Sequence, residues 1–130
     1  MDILGFFGIR GRAKEVYRLD GAVRALGWEP KGIPDSVKLT VLRLLKDAEG
    51  GAIADIDASC ERIAPVLAYC VLGCDGFDRA NGSDATAAVE TRLHHAIENG
   101  ESLDARIAML TLLANVIEQN VIERFDLRLD

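Results

Sequence analysis

The sequence predicts an all-α protein, a compact bundle of about five helices with a C-terminal antiparallel helical hairpin. Three observations point there. Apolar residues recur at three- and four-residue intervals along most of the chain, the spacing that lines one face of a helix. Breaker and capping residues punctuate that pattern at helix-length intervals, in "GWEPKGIPDS" at 27–36, "EGG" at 49–51, "NGS" at 81–83 and "NGES" at 99–102. An apolar share of 49% in 130 residues also supplies a core large enough to fold without metal or disulfide support. That length corresponds to one domain over residues 1–130.

Residues 1–11 are expected to be an apolar and basic N-terminal arm. Glycines at 5, 8 and 11 disfavour helix there, each by about 1 kcal/mol relative to alanine. Phe6 and Phe7 are its candidate interaction residues. Burying a phenylalanine contributes about 1.5–3 kcal/mol, so the pair is expected to dock on the body or on a second protomer. A partner protein or a membrane surface are the other two destinations. Interfacial membrane anchors use a longer amphipathic helix, which argues against the last.

A first helix over about 12–26 carries Val16, Leu19, Val23 and Leu26 on one side. A loop at 27–34 follows. Asp35 or Ser36 can cap the second helix, whose stripe is Val37, Val41, Leu44, Leu45 and Ala48, with "EGG" as its stop. Ile53, Ile56, Cys60 and Ile63 keep the helical spacing until Pro65 intrudes. Proline inside a helix costs about 3 kcal/mol. The third segment is therefore read as two short helices meeting near Ala64, or as one kinked helix ending before Gly73. "CDGFDRANGSD" at 74–84 is read as a polar loop.

Ser83 can cap a fourth helix over about 84–98, with Val89, Leu93, Ala96 and Ile97 facing inward. Asn99-Gly100 stops it, and Ser102 caps a long fifth helix to about Arg124. The short connection makes these two helices the antiparallel hairpin. Residues 125–130 are a tail in which Phe125, Leu127 and Leu129 alternate with charges, a short strand-like signal that could pair with "ILGFFGI".

The fifth helix organises this expectation. Leu103, Ile107, Leu110, Ala114, Ile117 and Val121 form its main stripe, and Met109, Leu112 and Val116 a second apolar patch opposite. A helix apolar on two sides is central to its domain or shared with a partner. Met109, Leu112 and Val116 thus join Phe6 and Phe7 as interaction residues.

Charge and cysteine content narrow the function. The net charge is −6, distributed as +2 over residues 1–32 and −8 over residues 50–130. An acidic body argues against a nucleic-acid partner, since such binding rests on clustered cations. The three cysteines are an odd number and "MDILGFF" lacks a signal peptide's cationic start, so reduced thiols in the cytoplasm are expected. The longest apolar run, Ile63 to Cys74, is too short for a membrane span of about 20 residues.

No catalytic, cofactor-binding or metal-ligating set is assigned. Cys70 and Cys74 are one helical turn apart, with Cys60 earlier, which is half of a tetrahedral site at best. Glu90, His94 and Glu98 form an i, i+4 stripe that could hold a divalent ion or relay a proton, while His95 points away from the core. Asp75, Asp78, Asn81 and Asp84 lack the glycine spacing of an EF-hand.

The function that fits is a regulatory or adaptor protein without enzymatic activity, acting through apolar helix surfaces as a homodimer. One alternative is a winged-helix-like DNA-binding regulator. Residues 36–73 have that helix-turn-helix rhythm, with Glu61 to Leu72 as recognition element, although Arg62 is its only cation. The other is a small metal-binding or catalytic helical protein using the Glu90 stripe.

Overall fold

The computed structural model describes residues 3–27 and 32–129, with side chains from Lys14 onward, and these form α1 (Ile3–Arg24), α2 (Asp35–Ala48), α3 (Ile56–Asn81), α4 (Ser83–Glu98), α5 (Leu103–Leu113) and α6 (Gln119–Phe125). The all-α bundle is thus six helices, and no strand occurs among the described residues. Helix α3 is its axis. It packs on α1, α4, α5 and α6, while α2 sits against α1 and α5. Ile63, Leu67 and Tyr69 of α3 are sealed from solvent, together with Leu19 on α1, Val41 and Leu45 on α2, and Ile107 on α5.

Two breaks in the chain explain the architecture, and they lock into each other. The rod expected over 103–124 is broken in its middle. Its Asn115 takes a left-handed φ of 58°, with Val116 N–H bonded to the Thr111 carbonyl and Asn115 N–H to that of Leu112. This is the Schellman arrangement that closes a helix, and asparagine tolerates its left-handed position. Helix α5 therefore ends at Leu113, and α6 starts afresh after Glu118.

The second break is Gly73 inside α3, at φ 84° and ψ 170°, a region essentially reserved for glycine. Its interrupted backbone groups are satisfied by the α5–α6 connection. Glu118 N–H donates to the Cys70 carbonyl at 2.9 Å, and Cys74 N–H donates to Asn120 Oδ1 at 3.2 Å. A side chain at Gly73 would lie 2.8 Å from Asn120 Oδ1 and 3.1 Å from Glu118 Cβ. Each break thus caps the other.

Beyond Gly73 the chain does not loop out as expected. Residues 74–81 remain helical and bury Phe77, whose ring meets Tyr69 edge-on at 5.6 Å. This arm turns back far enough for Asn81 Nδ2 to donate to the Leu26 carbonyl at the end of α1. Pro65 does not interrupt α3. The carbonyl it leaves without an N–H belongs to Glu61, an exposed residue where solvent can take that bond.

Other boundaries differ locally. Helix α1 begins at Ile3 rather than near residue 12, so residues 3–11 are helix despite their glycines. Once a turn is nucleated, each added residue gains a backbone bond, which offsets the glycine penalty. The side chains of Phe6 and Phe7 lie outside those described, as does much of the loop at 27–34. Ser102 caps α5 as expected, accepting from Ala105 N–H, and Asp55 caps α3. Neither Asp35 nor Ser83 acts as a cap; each is the first residue of its helix.

Helices α4 and α5 form the hairpin, clasped by Arg92 on Asp104 through two bonds of 2.6 and 2.9 Å. The tail shows no strand. Asp126 at φ 51° closes α6 by a second Schellman turn, which swings Leu127 into the core. Among the described residues no helix is long and apolar enough to cross a membrane.

Candidate functional site

A groove of about 630 Å³ lies between α1 and the first half of α3. Its geometry follows from residue size. Gly21, Ala22 and Ala25 on α1 face Ala64 and Pro65 on α3, so little side chain stands between the two backbones. Gly21 opens on empty space, with nothing within 4 Å of where a Cβ would sit. Tyr17 stands on the rim with 71% of its surface exposed, and Leu26 closes the far end.

The two walls carry opposite charge. Arg18 and Arg24 belong to α1, Asp57 and Glu61 to α3. Arg18 reaches across to Asp57 at 3.4 Å, an exposed ion pair that marks one level of the two helices at one end of the groove. Leu26 and Pro65 share the other end, so α1 and α3 run in the same direction along it. Among the described residues, Arg24 and Glu61 have no ion-pair partner.

A second constellation lies in the seam of α3, α4 and α6. The Tyr69 hydroxyl is 2.5 Å from Glu90 Oε2 and 3.0 Å from Cys74 Sγ. A carboxylate only accepts, so the phenol proton goes to Glu90, and Cys74 must donate its S–H to the phenol oxygen. Arg124 anchors the far end, its Nε 2.7 Å from Glu90 Oε2 and its Nη2 3.2 Å from Oε1. Burial foremost, then the bonds to Cys74 and Glu90, hold the Tyr69 hydroxyl protonated well above the ordinary phenol range. The chain of donors ends on an ion pair and orients three helices. It holds Cys74 as a hydrogen-bonding thiol.

This seam takes apart the Glu90–His94–Glu98 stripe. Both Glu90 oxygens are engaged, His94 packs at a tilt against Phe125 with ring centroids 4.6 Å apart, and Glu98 is exposed. Among the described residues no three His, Cys, Asp or Glu side chains gather as a metal site requires. Cys60 and Cys70 are buried thiols. Desolvation pushes Cys60 to about 11, helped by the charges of Asp57, Glu15 and Glu49, and Cys70 to about 12.

The winged-helix alternative loses its recognition surface. Within Glu61 to Leu72, residues 63–64 and 66–70 are buried at the centre of the bundle and cannot face a DNA groove.

Of the apolar interaction residues, Met109 and Leu112 lie half-buried on α5, and Leu112 packs against the core. Val116 falls in the connection after α5 and shares no helix face with them. The large apolar side chain exposed in this region is Leu113, 67% open. Periodicity could not single it out, because the helix ends there. It also could not find the groove, whose small residues leave no apolar signal, or the buried Lys38. The ammonium of Lys38 lies 3.0 Å from Asp20 Oδ1 and 3.6 Å from Asp35 Oδ1, tying α1 to α2. Asp20 Oδ1 accepts no directed hydrogen bond, so that contact is an ion pair only.

Comparisons with protein-family models, with curated proteins and with solved structures return no match to this chain.

Proposed function

We propose that this protein is a non-enzymatic regulatory or adaptor protein, homodimeric and cytoplasmic, that works by receiving helices on its surface. The observation that carries this reading is the groove between α1 and α3. It is lined by small side chains, rimmed by the exposed Tyr17, and about 630 Å³ in volume. Packed helices lie about 8–10 Å apart, a distance set by the side chains between them, and the small residues of this groove favour a close approach. An aromatic beside it is a typical anchor, because a rigid ring brings much contact area at little entropic loss. The three free cysteines support a reducing compartment.

The test is co-purification from the native host with the wild-type chain and with Gly21→Trp. Gly21 is exposed and a Cβ there meets nothing within 4 Å, so a tryptophan is expected to stand in the groove and leave the core in place. Proteins retained by the wild type and lost by the variant are the predicted result. An identical retained set would contradict the reading.

A further inference from the structure

We infer that the occupant of this groove is α1 of a second copy of the same chain, received reciprocally; this rests on the reading of the groove as a binding surface and names its partner. The argument is the charge polarity of the walls. A partner helix suited to the groove presents cations to the α3 wall, where Glu61 is unpaired among the described residues, and small side chains to α1. Helix α1 itself has both properties: Arg24 for charge, Gly21, Ala22 and Ala25 for size.

The register closes as well. In a pair related by a two-fold axis along the groove, each residue faces the partner at its own level. Arg18 and Asp57 mark one level by their contact. Arg24 lies six residues further along α1, roughly 9 Å, and Glu61 four residues further along α3, roughly 6 Å, at the helical rise of 1.5 Å per residue. The two differ by about 3 Å, which an arginine side chain spans. Arg24 of each copy therefore meets Glu61 of the other, two ion pairs per dimer. The interface is isologous, as a closed two-fold pair requires. Tyr17 of each copy is carried onto the other and loses its exposure.

Sedimentation velocity over a concentration series tests this directly. The wild type is expected to shift from monomer to dimer. Arg24→Glu and Glu61→Arg, both on exposed side chains, each shift the chain back to monomer at concentrations where the wild type is paired. The double reversal regains the dimer, because the two charges exchange places. Gly21→Trp fills the groove without touching either charge and also gives monomer. A wild type that stays monomeric, single reversals that leave the dimer intact, or a double reversal that remains monomeric overturns the inference. None of these outcomes decides the groove's use by other proteins, which the co-purification comparison reads independently.

Discussion

The Tyr69 hydroxyl donates to Glu90 Oε2 at 2.5 Å while accepting from Cys74, so one buried oxygen joins α3 to α4 and, through Arg124, to α6. Removing it with Tyr69→Phe strands the Cys74 S–H and takes from Glu90 its only buried donor. Leaving buried polar groups without partners costs about 1–3 kcal/mol, and an unfolding free energy lowered by that amount, seen as a lower urea midpoint, is the expected outcome. An unchanged midpoint would show that the seam is not a structural tie.

Alkaline lability follows from the same interior. Burial raises Cys60 from 9.0 to about 11 and Cys70 from 9.0 to about 12, and the Tyr69 phenol rises above its ordinary 10.0. The unfolded chain gives up these protons first, so above pH 9 it binds fewer protons than the native state, and stability falls. The loss is about 1.4 kcal/mol per pH unit for each group in its window, and below pH 9 these groups contribute no slope. Denaturant midpoints measured on either side of pH 9 should show the bend. Cys60→Ala should flatten the part of the slope between pH 9 and 11.

Three glycines on or beside the helices should answer oppositely to alanine. Gly21 sits mid-helix with open space around it, so Gly21→Ala stabilises by about 0.5–1 kcal/mol. Gly27 at φ 89° would bring its Cβ to 2.6 Å from Ala80 Cβ, and Gly73 at φ 84° would meet Asn120 and Glu118. Alanine at either position destabilises by about 1–3 kcal/mol from backbone strain alone. Melting temperatures of the three single variants check the signs together.

Most of the helix placement was legible because local signals and tertiary packing agree. "EGG" ends α2 through a Schellman turn at Gly50, and Ser102 caps α5, both set by residues within a few positions. The break at Gly73 was not legible. Its backbone groups are satisfied from the α5–α6 connection, with Asn120 lying 46 residues from Cys74, and no local pattern announces that pairing. The break at Asn115 did have a local signal in the asparagine itself. It was masked by Ala114, Ile117 and Val121, whose spacing continues the helical period across a turn that ends it. Phe77 lies eight residues after Tyr69, a helical interval, but the surrounding Asp, Gly and Asn residues read as loop. The groove could not be read at all, because it is made of what its residues lack.

Asn115 sets the end of α5 and thereby the position of Glu118 and Asn120 against α3. Asn115→Gly retains the left-handed turn and leaves stability the same or slightly higher. Asn115→Val forces a branched side chain into that conformation and costs about 1–2 kcal/mol. The contrast appears in thermal unfolding, and equal effects from both would mean that the turn is not what separates α5 from α6.

The most direct test of the groove as the surface on which two copies meet is amide hydrogen exchange of the wild type at low and high protein concentration. Added protection at high concentration is predicted over residues 17–26 of α1 and 57–65 of α3, with the α5 end around Leu113 unchanged. Protection gained at Leu113 and not along those two segments, or no concentration dependence anywhere, would contradict it.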